Sequence, residues 1–102
     1  MIDWTRISDL KAEFGTDGFE EILAIFLEET ETAIERLSGG RSDDPAADLH
    51  FVRGSADNMG LSDLVEACRR GEAAIAAGAP PDITGVRHAF DGARRALLRM
   101  AA

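Results

Sequence analysis

Apolar residues recur three or four positions apart along most of this 102-residue chain, and this spacing is the strongest constraint on its fold. It places the apolar side chains on one face of an α-helix. No segment shows the period-two alternation of a half-buried β-strand. The sequence therefore predicts an all-α fold. The main stripes are Phe19, Ile22, Leu23, Phe26, Thr30, Ala33, Ile34 and Leu37; Leu49, Val52, Ala56 and Met59; Leu61, Leu64, Cys68, Gly71 and Ile75; and Ile83, Val86, Phe90, Ala93, Leu97 and Met100.

Capping residues, glycines and prolines divide these stripes into separate helices. A short first helix is predicted from Trp4 to Phe14, with Asp3 as its N-cap and Gly15 as its end. Its short length and its large aromatic residue are typical of a helix that covers one end of a bundle.

Four longer helices follow this short one. Joined by short loops, they predict an antiparallel up-down four-helix bundle with a short N-terminal capping helix. The length suits a single domain, residues 1–102. The predicted starts of the four helices are a capping box at Asp17 and Glu20, the Asp44-Pro45 pair, Ser62 and Asp82.

Composition narrows the class of protein. With 19 acidic and 11 basic residues the net charge is −8, which argues against nucleic acid or an anionic membrane as a partner. Cys68 is the single cysteine, so no internal disulfide forms and a reducing compartment is expected. The longest apolar run is too short for a membrane span, and the N-terminus lacks the basic start of a signal peptide. We therefore expect a cytoplasmic monomer.

The helix that begins near Pro45 carries a histidine on its polar face. At about 100° per residue, His50 points away from the apolar stripe, and Arg53 and Gly54 share its face. Arg53 is placed to stabilise an anionic group on the ring. A glycine inside a helix costs about 1 kcal/mol relative to alanine, so Gly54 suggests a steric requirement. With the small Ala46 and Ala47 nearby, this face indicates a nucleophile arranged for a phosphoryl group.

Other polar residues give weaker signals. His88 is interpreted as an ordinary surface histidine, because nothing small or cationic is arranged around it. Asp57 lies about 10 Å along the helix from His50, too far for a direct hydrogen bond, so the group that orients the second ring nitrogen is not identified. Ile25 falls opposite its stripe and either packs under the first helix or docks a partner. The cluster Glu28, Glu29, Glu31 and Glu35 is interpreted as a solvated face.

The motif His50-x-x-Arg53-Gly54-Ser55-Ala56-x-x-x-Gly60, followed by Leu64, Cys68 and Glu72, resembles the histidine-containing phosphotransfer (HPt) domain of multistep two-component phosphorelays. Arg53 stands where that family usually has lysine, which keeps the charge. Gly71 stands where the family usually has a large apolar residue. The resemblance extends over essentially all of the chain and implies the same four-helix bundle.

The resemblance also implies a function. His50 would accept a phosphoryl group, at Nε2, from the aspartyl phosphate of a response-regulator receiver domain and pass it to a second receiver. Arg53 would partly neutralise that group, and Gly54 would let the receiver approach closely. The implied partners are receiver domains and a hybrid sensor histidine kinase. The receiver would supply Mg²⁺, and the chain would need no cofactor of its own.

No glycine-rich ATP-binding loop is present, so the expected role is that of a phosphocarrier without kinase activity.

Two other functions stay open. The main alternative is a binding-only HPt-like module that docks or sequesters a receiver without phosphotransfer. A metal or di-iron bundle enzyme is the weakest reading, because the chain has no Glu-x-x-His pair.

Overall fold

The structure, a computed structural model, describes residues 1–101. Its four α-helices are α1 (Trp4–Ser38), α2 (Pro45–Asn58), α3 (Ser62–Ala76) and α4 (Ile83–Ala101). Over this range no β-strand forms, and an isolated β-bridge joins Ile2 to Leu61. The all-α prediction is confirmed. The predicted domain of residues 1–102 ends at Ala102, which lies outside the described residues.

Helix α1 is interrupted at a single residue. Gly15 has φ 75° and ψ 171°, far from helical values, while the residues on both sides of it are helical. A glycine adopts positive φ without the steric penalty that other residues incur. The break predicted at Gly15 is therefore confirmed. The capping box predicted at Asp17 and Glu20 is wrong as a helix start, because the helix resumes directly after Gly15.

The four helices contact each other in a ring, in which α1 packs against α2 and α4, and α3 packs against α2 and α4. Every helix contributes apolar side chains to the core between them, as the predicted stripes require. Burial of this apolar surface is the main driving force for folding. Fully buried members of the core include Phe19, Ile34, Leu49, Val52, Leu64, Cys68, Val86, Phe90 and Leu97.

The first residues of the chain are fastened to the turn between α2 and α3. The backbone N–H of Asp3 donates to the carbonyl of Gly60 at 2.8 Å, and Gly60 has the φ of 73° expected of a left-handed residue after a helix. Ser62, predicted to cap its helix, is instead the first helical residue, and Leu61 precedes it without a side-chain cap. The Ser62 hydroxyl donates to the carbonyl of Met1 at 2.8 Å, so it binds the N-terminal segment rather than capping α3.

Membrane spans and metal clusters are both absent from the described residues. None of the four helices combines the length and the hydrophobicity that crossing a membrane requires. Across residues 1–101, no group of three or more His, Cys, Asp and Glu side chains is placed to hold a metal ion.

Thr30 is a polar residue inside the apolar core. It is fully buried, and its Oγ1 has no hydrogen-bond partner among the described residues. A buried hydroxyl without a partner costs about 1–3 kcal/mol. We expect Thr30→Val, which keeps the branched shape, to raise the free energy of unfolding by about 1 kcal/mol in urea denaturation.

Thr32→Val is the matched control for this substitution. Thr32 is exposed, and its hydroxyl donates to the carbonyl of Glu28 at 3.0 Å. Its removal should bring no gain in stability. If Thr30→Val also brought no gain in the free energy of unfolding, the Thr30 hydroxyl would have to be hydrogen-bonded in solution, contrary to the structure.

Candidate functional site

The candidate site is the exposed face of α2. Asp44 caps this helix by accepting from the backbone N–H of Ala47 at 3.1 Å, and Pro45 occupies the first helical position, as predicted. The apolar stripe of α2 is buried in the core. His50 lies on the opposite face, and its side chain is 71% exposed. The outward orientation predicted from helical spacing is therefore observed.

Arg53 and Glu72 both contact the imidazole. Nη2 of Arg53 lies 2.9 Å from Nδ1 of His50, and Nε of Arg53 donates to Oε2 of Glu72 at 2.6 Å. The second carboxylate oxygen, Oε1 of Glu72, lies 3.3 Å from the same Nδ1. Both polar contacts that the described residues make with the ring therefore involve Nδ1. Nε2 is left as the nitrogen available to an incoming group.

Glu72 is the member of this site to which sequence reasoning assigned no role. It lies on α3, 22 positions after His50 along the chain, so the helical spacing within α2 could not indicate the contact. The only signal was its place at the end of the motif. Asp57, the acidic residue considered for orienting the ring, makes none of the contacts with His50 found in residues 1–101.

A glycine on α3 explains why Glu72 reaches α2. A Cβ atom built on Gly71 would lie 2.9 Å from Cδ1 of Leu49, closer than side chains pack without a shift. The two helix backbones therefore approach more closely than a larger residue would permit. Because Leu49 precedes His50 and Gly71 precedes Glu72, this close approach brings the imidazole and the carboxylate together.

Cys68 lies in the core one helical turn before Glu72. Burial raises the pKa of its thiol to about 12, and the negative charge of Glu72 acts in the same direction, while Arg53 opposes it. The thiol is therefore protonated at neutral pH and is a poor nucleophile. The place of Cys68 in the predicted apolar stripe agrees with this environment.

Small side chains leave the His50 face open, as expected. Gly54 is exposed in α2, and a Cβ atom built on it would meet nothing within 4 Å. Ala47 is exposed and Ala46 half-buried. Nothing within the described part of the chain therefore requires a glycine at position 54.

Two large apolar side chains are exposed on the neighbouring helices α2 and α1. Phe51 is 43% exposed and follows His50 on α2, and Ile25 is 52% exposed on α1. Of the two alternatives left open for Ile25, exposure is the one observed. A shallow cavity between the two helices is lined by Phe51 and by Glu28, Glu29, Thr32 and Arg36 of α1.

The N-terminal turn of α2 is tied to α1 by an ion pair. Nη2 of Arg36 lies 3.0 Å from Oδ1 of Asp48, and the hydroxyl of Ser42 donates to Oδ2 at 2.6 Å. The hydrogen bond from Arg36 holds the pKa of the Asp48 carboxyl below its usual range; Ser42 acts in the same sense, and partial burial opposes both. This pair fixes the start of the helix that carries His50.

His88 is not brought to the site. It is exposed on α4 and lines a groove between α3 and α4, together with Asp63 and Arg70. The interpretation of His88 as a surface residue agrees with this position.

A known protein family matches the part of the chain that contains the site. The family model described as Hpt domain matches residues 21–99, which is most of the chain. This range contains His50, Arg53, Gly54 and Glu72. Neither curated proteins nor solved structures gave a significant match.

The tie between α1 and α2 predicts a pH dependence of stability. The folded pKa of Asp48 is lowered, so its contribution is present above the unfolded value of about 4 and is lost as the pH falls through the folded value. We expect Asp48→Asn to lower the free energy of unfolding at neutral pH. The difference from wild type should shrink below about pH 4, as followed by urea denaturation at a series of pH values.

Asp57→Asn is the control, because Asp57 is exposed on the same helix outside this ion pair. It should not lower the free energy of unfolding at neutral pH. A difference between Asp48→Asn and wild type that stays constant into the acid range would contradict the assigned role of the carboxylate.

Proposed function

The chain belongs to the Hpt domain family, and we propose on that premise that it is a phosphorelay intermediate whose phosphoryl-carrying residue is His50. Hpt domains are the phosphocarriers of two-component phosphorelays and work with receiver domains and histidine kinases. In this proposal His50 accepts the phosphoryl group of a receiver aspartyl phosphate and passes it to the aspartate of another receiver. The observation that carries the proposal is the exposed imidazole, whose two polar contacts within residues 1–101 are both at Nδ1 and leave Nε2 without one.

A histidine nucleophile of this kind needs little else from its own chain. A neutral imidazole presents a lone pair on one ring nitrogen, and that lone pair can attack phosphorus directly. The product is a phosphohistidine at Nε2. The receiver supplies the Mg²⁺ and most of the charge stabilisation, so the chain itself uses no cofactor.

Arg53 supplies the one cation placed next to the reacting group. Its guanidinium lies within 2.9 Å of the ring and is always charged, so a small movement brings it to the oxygens of a phosphoryl group on Nε2. Glu72 holds that guanidinium through Nε at 2.6 Å. The carboxylate therefore positions Arg53 and also limits the net positive charge of the site.

Phe51, which follows His50 on α2, supports the assignment of this face as the receiver-binding surface, because exposed aromatic side chains are typical anchors of a protein interface. Ile25 is one helical turn before Glu28 and Glu29, which line the cavity beside Phe51, so it extends the exposed apolar surface on α1. Gly54, Ala46 and Ala47 add no bulk around His50, so a receiver active site can reach the ring.

We also infer the finer architecture that such a carrier requires. The connections 39–44, 59–61 and 77–82 are short and join helices that contact each other, which supports an antiparallel up-down order. Ile7 and Leu10 are buried near the pinned N-terminus, which supports a capping role for the segment before Gly15. The apolar stripes are used within the bundle, which supports a monomer.

The direct test of the carrier role is phosphoryl transfer from a radiolabelled phospho-receiver domain. His50→Gln keeps a polar side chain on an exposed helical face but has no nucleophilic nitrogen, so it should accept no label. His88→Gln, the matched control, should accept label like wild type. Label on wild type should be lost in acid and kept in base, as a phosphoramidate bond requires.

Two results would contradict this proposal. Label on His50→Gln would place the phosphoryl group on another residue. If a receiver bound wild type and His50→Gln equally well and neither protein was ever labelled, the binding-only alternative would be correct.

Gly54 gives a second, independent prediction. Because nothing lies within 4 Å of a Cβ at this position, Gly54→Ala should raise the free energy of unfolding by about 0.5–1 kcal/mol in urea denaturation. Gly71→Ala is the matched control in the neighbouring helix. It should bring no such gain, since the added Cβ would overlap Leu49.

A larger side chain at position 54 tests the steric role. Gly54→Gln should fold, but it should lower the rate of labelling by a phospho-receiver relative to the rate of labelling by phosphoramidate, a small donor that needs no docking. An unchanged ratio of these two rates would show that receivers do not approach His50 over Gly54.

A further inference from the structure

Nδ1 of His50 lies next to one hydrogen-bond donor and one hydrogen-bond acceptor. It lies 2.9 Å from Nη2 of Arg53 and 3.3 Å from Oε1 of Glu72. A guanidinium only donates hydrogen bonds, and a carboxylate only accepts them. In a neutral imidazole, Nδ1 is either an acceptor or a donor, so it satisfies only one of these neighbours at a time.

The geometry favours Arg53. Its contact with Nδ1 has the distance and direction of a hydrogen bond, whereas the Glu72 contact is a longer ion-pair contact without that alignment. Glu72 is also engaged already, because its Oε2 accepts from Nε of Arg53 at 2.6 Å. With Arg53 as the donor, Nδ1 is the acceptor, and the single proton of a neutral ring is then on Nε2.

From this geometry we propose that Arg53 is a tautomer gate for His50. In the resting protein it keeps the ring proton on Nε2, the nitrogen that must attack, and so removes the lone pair that attack requires. Reaction through Nε2 begins only after Arg53 releases Nδ1 and the proton moves through solvent from Nε2 to Nδ1. Glu72 then accepts the Nδ1 proton in a hydrogen bond. The inference rests on the proposed function for its purpose, since only a phosphoryl acceptor at Nε2 needs that lone pair.

The incoming phosphoryl group competes with Nδ1 for the guanidinium of Arg53 and so releases the ring. Its oxygens are stronger acceptors for a guanidinium than a neutral ring nitrogen is, so they draw Arg53 away from Nδ1. The ring is 71% exposed, which gives water access for the proton exchange. A receiver that docks without a phosphoryl group leaves Arg53 on Nδ1 and the nucleophile blocked.

The transfer step balances in this scheme. The Nε2 lone pair forms the N–P bond while the P–O bond to the donor aspartate breaks, and the aspartate leaves as a carboxylate with that electron pair. The ring keeps its Nδ1 proton and becomes cationic. Glu72, with Oε1 3.3 Å from Nδ1, stabilises this positive charge.

The tautomer of His50 is measurable without any partner. A long-range nitrogen–proton correlation spectrum of the isotope-labelled protein, recorded where both histidines are neutral, distinguishes protonated from unprotonated ring nitrogens. In wild type, the major form of His50 should carry its proton on Nε2. In Arg53→Met the major form should change to the Nδ1 tautomer, because Glu72 is then the polar contact of Nδ1 that remains within residues 1–101. Glu72→Gln should keep the wild-type tautomer, because Arg53 still donates.

His88 is the internal control, because its signals appear in the same spectrum and should be the same in all three proteins. A major Nδ1–H tautomer in wild type would overturn the gate, as would an Arg53→Met protein with the wild-type tautomer. The wild-type tautomer is measured on the unaltered protein, so this test does not depend on the folding of a variant. If wild type and Arg53→Met show the expected tautomers but wild type never accepts label from a phospho-receiver, the proposed function is overturned and the gate is not. The two failures are therefore distinguishable.

Discussion

The close approach of α2 and α3 at Gly71 is the constraint on which the site depends. Without a side chain at Gly71, Leu49 packs against the backbone of α3, and the next residue of each helix, His50 and Glu72, lies at the rim of the same contact. The packing that closes the core therefore also sets the distance between the imidazole of His50 and the carboxylate of Glu72. The His50 face remains exposed because the opposite face of α2, which carries the apolar stripe, is the one that packs in the core.

The charge balance of the site follows from this geometry. The chain has a net charge of −8, and the cation beside His50, Arg53, is already paired with Glu72. We infer that a site of this composition would not hold a phosphoryl dianion strongly. Weak stabilisation would suit the proposed carrier role, because a phosphoryl group that is to be passed on must not be trapped by its own pocket. The greater part of the charge stabilisation during transfer would then fall to the partner.

The sequence pattern was enough for the fold class, the break at Gly15 and the exposed face that carries His50, because each of these depends on residues within one or two turns. The roles of Ser62 and Glu72 depend on contacts between segments far apart in the chain. The Ser62 hydroxyl is taken by Met1, and Glu72 meets Arg53 across two helices. Spacing within one helix carries no information on such contacts, so Ser62 was assigned wrongly and Glu72 was given no role.

We propose that Nε2 of His50 carries the phosphoryl group. The most direct measurement is to phosphorylate the protein with a phospho-receiver domain, digest it without acid, and locate the modified residue and its bonded nitrogen by mass spectrometry and phosphorus–nitrogen NMR coupling. A single phosphoryl group on His50, bonded to Nε2, is expected. A phosphoryl group on His88, on a carboxylate, or on Nδ1 of His50 would contradict it.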